Sequence, residues 1–139
     1  MSISNSSSNI SKSSSSIELY QGESKDLEIE IVKEEEDVDG NPIEVPLPLT
    51  GSKVCFTVRK LVTDPAIKIA KDSLNVLDIE IKSPATDGIV IIYIVSEDTR
   101  LLDPGRYVFD IWVVLSSGKK VPVVEVSEFI VKEPVTKDC

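Results

Sequence analysis

Residues 96–136, SEDTRLLDPGRYVFDIWVVLSSGKKVPVVEVSEFIVKEPVT, decide the fold. A short helical turn opens the stretch, with Ser96 as its cap. Glu97 and Asp98 follow in the first turn, where the positive end of the helix dipole favours carboxylates. Asp103-Pro104-Gly105 is a tight turn in which proline pre-sets φ. Arg106 to Leu115 reads as a long strand, Ser117-Gly118 as a hairpin turn and Lys120 to Lys132 as the closing strand. From Tyr107 to Leu115 the strand is apolar on both faces, with only Asp110 breaking the run. A strand of an antiparallel sheet with one wet face should alternate. Something other than the domain's own core is therefore expected to cover its second face.

The preceding segments repeat the strand-and-turn theme. Ile17 to Tyr20 is a short strand ending at a Gly22 turn. Asp26 to Lys33 alternates, with Leu27, Ile29 and Ile31 inward and Glu28 and Glu30 outward. Asp39-Gly40-Asn41-Pro42 is a turn signal, and Pro46 and Pro48 exclude a central strand, so Glu34 to Pro48 reads as a long loop or irregular edge. Lys53 to Lys60 is a strand with Val54, Phe56 and Val58 inward. Short strands follow at Ile67 to Lys71 and Asp78 to Lys82, with turns at Asp64-Pro65 and Pro84 to Gly88. Ile89 to Val95 is the last strand before the opening stretch. Seven to nine short strands, regularly spaced turns and no long helical periodicity predict an all-β, two-sheet antiparallel sandwich. The Cys…Trp…Cys spacing of antibody domains is absent, so an immunoglobulin-like description is architectural.

Length and composition bound the rest. The chain has 139 residues, 41% hydrophobic and 28% charged, which is globular composition and one domain by size. Residues 1–16 form a serine-rich arm too poor in apolar surface to fold alone. The sandwich is expected over 17–134, with a short tail at 135–139. The arm has no apolar core and does not read as a signal peptide. The apolar runs are too short to span a bilayer. A net charge of −9 opposes nucleic-acid binding. There is no histidine, which removes the commonest general base, the commonest metal ligand and every Ser-His or Cys-His pair. The two cysteines, Cys55 and Cys139, do not indicate a disulfide and suit a reduced site of synthesis.

The order of the pieces resembles the small immunoglobulin-like domains of tailed-bacteriophage virion proteins, such as the N-terminal domain of baseplate upper proteins and neck and head accessory proteins. The residues that carry the resemblance are Leu19-Tyr20-Gln21-Gly22, the Asp39 to Pro42 turn, Leu49-Thr50-Gly51, Phe56-Thr57-Val58 and Asp64-Pro65-Ala66. Glu97 to Leu102, Pro104 to Tyr107 and Tyr107 to Ile111 complete it. The match runs from about Ile17 to Thr136; the Glu34 to Pro48 segment is longer and richer in proline than the family's pattern, and the arm is extra. The resemblance implies an immunoglobulin-like sandwich and a structural subunit of the head, neck or baseplate, made in the bacterial cytoplasm and located in the virion. It implies other virion proteins and further copies of the chain as partners, with no cofactor and no catalytic residues.

Alternation names the surfaces such a subunit would use. Val90, Ile92 and Ile94 should face the core on one strand, and Tyr107, Phe109, Ile111 and Val113 on another. That leaves Ile89, Ile91, Tyr93 and Val95 outward on the first strand. On the second it leaves Val108, Trp112 and Val114, with Asp110 among them. Two such strands are expected in different sheets, which places the patches on opposite sides. Cys55, beside Thr57, should also point outward and lie under a neighbouring chain. The candidate interface is therefore Ile89, Ile91, Tyr93, Val95, Trp112, Val114 and Cys55, set against the plainer reading that loops or the arm cover one patch. A host-surface carbohydrate- or protein-binding module is the alternative, with Trp112 beside Asp110 as its candidate site. The Glu34 to Asp37 run lacks the alternating ligands and bidentate glutamate of a Ca²⁺ loop and reads as a solvated acidic segment. Glu97 and Asp98 are explained by the helix turn, Arg100 by an ion pair, and the six glycines by turns without phosphate-loop spacing.

Overall fold

The computed structural model describes residues 3–4, 16–137 and 139; most of the serine-rich arm, and residue 138 of the tail, lie outside the described residues. The elements in chain order are β1 (Ile3–Ser4), β2 (Ile17–Tyr20), β3 (Lys25–Glu30), β4 (Val32–Glu36), β5 (Pro42–Pro46), β6 (Lys53–Arg59), β7 (Ile67–Asp72), β8 (Ile79–Ile81), β9 (Ile89–Ile94), α1 (Ser96–Arg100), β10 (Gly105–Val114) and β11 (Lys120–Lys132). One sheet runs β1-β3-β9-β8, a second β2-β11-β10-β6-β7, and β4 and β5 form a separate hairpin.

The strand order is that of the immunoglobulin sandwich. Lettered by that fold, β1-β3-β9-β8 is the A-B-E-D sheet, and β11-β10-β6-β7 is G-F-C extended by C′. The two-residue period explains the layering. On β3, Leu27 and Ile29 are buried; on β9, Val90, Ile92 and Ile94; on β6, Val54, Phe56 and Val58; on β10, Tyr107, Phe109, Ile111 and Val113. These are the inward positions expected from the sequence, and they form one core with Ile17, Leu19, Phe129 and Val131. Tyr107, near the start of β10, donates its hydroxyl to the Asp103 carbonyl at 2.7 Å. That is the tyrosine corner of the fold. Two residues on, Phe109 stands where antibody domains carry their second cysteine. Phe56 and Phe129 pack on it with ring centroids 5.6 and 6.5 Å away.

Four sequence expectations need correction. Glu34 to Pro48 is no loop: β4 and β5 pair antiparallel, Val32 with Pro46 through Glu36 with Pro42. A two-stranded ribbon consists only of edges, so its prolines break no central ladder. The Asp37 carboxylate fastens its tip, accepting from the Asp39 and Asn41 amides at 2.9 Å each. Second, Ser96 is not the cap of α1. Val95 occupies that position, and its amide donates to the Asp98 carboxylate at 2.8 Å. Third, the sandwich is not wholly antiparallel, because β2 pairs with β11 in parallel. Fourth, Val95 lies just beyond β9 rather than in it.

Two contacts fix the geometry at the margins. At Ile31 the chain leaves β3 for the hairpin: the Ile31 amide donates to the Gly88 carbonyl at 2.7 Å, and the Leu47 amide to the Ile31 carbonyl at 2.9 Å. Gly88 has φ +70°, and a Cβ there would lie 2.5 Å from the Ile31 oxygen. On the opposite side, Lys71 of β7 reaches Asp98 of α1 at 2.9 Å, with Asp78 at 3.8 Å, while only 6% of its side chain is exposed. This pair ties the edge of one sheet to the crossover between the two.

Gly88→Ala should therefore lower stability by about 2–4 kcal/mol in denaturant unfolding, combining a left-handed backbone with overpacking against backbone that cannot retreat. Asp98→Ala should cost about 3–5 kcal/mol by leaving the buried ammonium only the more distant Asp78 and the Val95 amide without its acceptor, and the double variant Lys71→Met/Asp98→Asn should recover most of that loss. Burial and the nearby Asp103 charge raise the Tyr107 phenol above its ordinary value of 10.0. A phenol that holds its proton more tightly when folded contributes stability that is complete below the unfolded pKa. That stability is lost as pH rises through the folded one. Tyr107→Phe should thus flatten the fall in Tm above about pH 10.

Candidate docking surfaces

The outer face of the five-stranded sheet is built by the residues that alternation expels. Register places Trp112 of β10 opposite Cys55 of β6, Asp110 opposite Thr57 and Val108 opposite Arg59. Trp112 is 40% exposed although it lies within a central strand. Its indole N–H donates to the Asp110 carboxylate at 3.0 Å, which orients the ring along the strand. Val114 and Cys55 are half-buried beside it. Burial raises the Cys55 thiol above its ordinary value, the Lys53 charge opposing and Asp72 adding to the rise. The sequence-derived residues Trp112, Val114 and Cys55 thus form one patch.

Two further members escaped sequence reasoning. Val126 of β11 is 48% exposed on this face, and Val62, from the β6–β7 loop, joins Thr57, Arg59, Val108, Asp110 and Val126 around a shallow dent. Val126 was hidden by irregular pairing. Between Phe109 and Ile111, β10 advances two residues while β11 advances three, from Ser127 back to Val124. That extra residue leaves Glu125 and Val126 both exposed, and a second shift between Ile111 and Trp112, where β11 moves from Val124 to Pro122, leaves Val123 and Val124 both buried, as β-bulges do. No single-strand alternation reveals that. The sequence signal that remained was the segment VPVVEV, residues 121–126, whose adjacent Val123 and Val124 do not alternate. Arg59 at its edge is held toward the β6–β7 loop, one guanidinium nitrogen donating to the Asp64 and Pro65 carbonyls at 2.8 and 3.1 Å. The rim is polar: Arg106 pairs with Glu128 at 3.3 Å, and Lys53 and Lys120 flank Val114.

The outer face of the four-stranded sheet differs. Ile89, Ile91 and Tyr93 do point outward on β9, each half-buried, and Val95 is exposed beyond the strand end. They lie in the other sheet from Trp112, on the opposite side of the sandwich, as expected of a two-sheet architecture. Their neighbours partly cover them. Glu28 of β3 and Lys82, just past β8, form an ion pair at 3.1 Å. These strands flank β9, with Glu28 opposite Ile91 and the Lys82 amide bonded to the Ile89 carbonyl. The pair therefore straps across β9 between the two isoleucines. The Tyr93 hydroxyl donates to Glu80 at 2.6 Å, and that hydrogen bond raises the phenol.

Among the described residues no group of three or more histidine, cysteine, aspartate or glutamate side chains gathers where a metal ion could be held. No described helix is long and apolar enough to cross a membrane.

No protein-family model and no curated protein sequence matches the chain. Among solved structures it is similar to CopC from Methylosinus trichosporium OB3b, at 12% identity and a TM-score of 0.41 over 87% of each chain. It is also similar to murine CRIg, at 14% identity and a TM-score of 0.40 over 86% of this chain and 92% of that one. The fold itself, an immunoglobulin-like β-sandwich, rests on the strand order and the tyrosine corner of the chain's own structure.

Proposed function

We propose that this chain is a non-enzymatic structural subunit of a tailed-phage virion, a head-decorating, neck or baseplate protein. It docks on neighbouring subunits through the outer face around Trp112, and the N-terminal arm adds a second attachment. The order of short motifs from Leu19 to Ile111 supports the virion setting. The observation that carries the docking is the exposed Trp112 in a central strand, with Cys55 and Val114 beside it and Val108 and Val126 further along the same face. Burying each large apolar side chain gains roughly 1.5–3 kcal/mol. An apolar centre inside a polar rim is the anatomy of protein interfaces, where tryptophan is enriched at the energetic centre. The β9 face is the weaker candidate, because docking there must displace or accommodate the Lys82–Glu28 strap.

A second reading keeps a specific observation: the dent lined by Thr57, Val108 and Asp110 beside the Trp112 ring offers an aromatic platform next to hydroxyl and carboxylate groups. That combination suits a host-surface carbohydrate.

Trp112→Glu separates the two readings. On the structural reading it should abolish incorporation into particles while the isolated domain keeps its far-UV spectrum and loses less than about 1 kcal/mol of stability. Normal incorporation of the variant would remove this face from the assembly. Saturable binding of host glycans by the isolated domain, lost in Trp112→Glu, would favour the carbohydrate reading. Cys55 supplies an independent footprint. It should react with a thiol reagent more slowly than exposed Cys139 in the free protein. In the assembled particle its reaction should cease.

A further inference from the structure

β7 is the last strand of the five-stranded sheet and pairs with β6 alone among the described residues. Ser4 and Ile17, which border the segment outside the described residues, stand beside β3 and β11, at the opposite margins of the two sheets. The Ser73 amide donates to the Val54 carbonyl at 2.9 Å. Bonded pairs of an antiparallel ladder recur every second residue. The backbone groups of Ile69 and Lys71 therefore meet β6, and those of Ala70 and Asp72 point to the outer edge. Irregular pairing is confined to the start of the strand, where β7 passes from Ile69 to Ile67 while β6 passes only from Val58 to Arg59. An inward charge on an edge strand ordinarily deters pairing. The inward lysine of β7, Lys71, is instead held within the domain by Asp98 at 2.9 Å, so its charge does not face the edge.

This edge is complementary to itself. Lys68, Ala70 and Asp72 form its outward row of side chains. A second β7 laid antiparallel about a twofold at Ala70 sets Ala70 opposite its own copy. It also sets Lys68 of each copy opposite Asp72 of the other, an opposite-charge pair made twice. A parallel copy in the same register would set Lys68 beside Lys68 and Asp72 beside Asp72. Exposed aliphatic side chains stand at both ends of the strand. Leu61, Val62 and Ile67 lie at its start and Leu74, Val76 and Leu77 beyond its end, each between 52% and 80% exposed. The second group is displayed by a fixed turn, in which the Asp72 and Asn75 side chains accept from the Leu74 and Leu77 amides at 2.8 and 3.0 Å. Antiparallel pairing brings the end of one β7 to the start of the other, so each aliphatic group of one copy meets the other group of its partner. Backbone pairing at the edge supplies affinity, and covering aliphatic surface adds to it.

We propose that two copies of this chain associate through β7, antiparallel and centred on Ala70, so that their five-stranded sheets run on as one. A twofold axis through a bonded antiparallel pair stands perpendicular to the sheet, so the Trp112 faces of both copies look the same way. The pair thereby presents two docking patches to one side, a bivalent arrangement. The contact goes beyond docking through Trp112 and does not involve that residue. It is tested on the purified chain without any particle, so either can fail alone.

The full chain is sedimented under reducing conditions at about 0.1 mM, roughly a hundredfold above the micromolar end of specific interfaces, and should run as a dimer. Lys68→Asp and Asp72→Lys should each raise the dissociation constant at least about tenfold, because each homodimer then sets like charges opposite one another twice. Mixed in equal amounts, the two variants should dimerise as tightly as the parent chain, since each supplies the charge the other lacks. That rescue also shows that both variants are folded. Trp112→Glu should leave the dimer in place. A parent chain that stays monomeric at this concentration overturns the proposal. So does a dimer that survives both charge reversals, whether or not Trp112→Glu disperses it, and so do charge variants that dissociate and fail to rescue each other.

Discussion

The facing of β10 depends on a cluster of three rings. Phe56, Phe109 and Phe129 sit on adjacent strands β6, β10 and β11 with centroids 5.6 to 6.5 Å apart, within the range where tilted aromatic pairs add about 0.5–1.5 kcal/mol each beyond simple burial. In antibody domains the equivalent space holds a disulfide packed on a tryptophan. Here, with both cysteines free, packing alone locks the register. Tyr107 lies two residues before Phe109 and hence on the same face, with its hydroxyl held by the Asp103 carbonyl. A slip of one residue would expel all of these together. The same lock forces Trp112 outward, so the exposed apolar patch is a consequence of the core's register rather than a separate feature laid on it.

The two outer faces then diverge because of their neighbours. On β9 every flanking strand carries charge: Asp26, Glu28 and Glu30 on β3, Glu80 on β8 and Lys82 beyond it. Those side chains are long enough to meet above the aliphatic strand, and the Glu28–Lys82 pair does so. An exposed ion pair of this kind contributes little by itself, typically about 0–1 kcal/mol, but its aliphatic stems shield Ile89 and Ile91 from water. Around Trp112 the cross-strand neighbours are short or apolar, namely Cys55, Thr57 and Pro122. The long side chains of Lys53 and Lys120 on this face stand opposite Val114 rather than Trp112, and the side-chain hydrogen bond of the indole runs from its N–H to Asp110.

What the sequence made legible follows from the same physics. The inward residues of β3, β6, β9 and β10 were readable because each strand is regular and a two-residue period needs no knowledge of its partners. The expectation that the two apolar strands lie in different sheets followed from the two-sheet architecture, and they do. Three features depended on contacts distant in sequence. The β4–β5 hairpin forms where prolines argued for a loop, because its strands meet only each other. The bulge that exposes Val126 exists only relative to β10. Lys71 sits at an inward position of β7, where alternation would seek an apolar residue, and its burial is intelligible only once α1 brings Asp98 to 2.9 Å. The strap over β9 is of the same kind, since Glu28 and Lys82 are 54 residues apart.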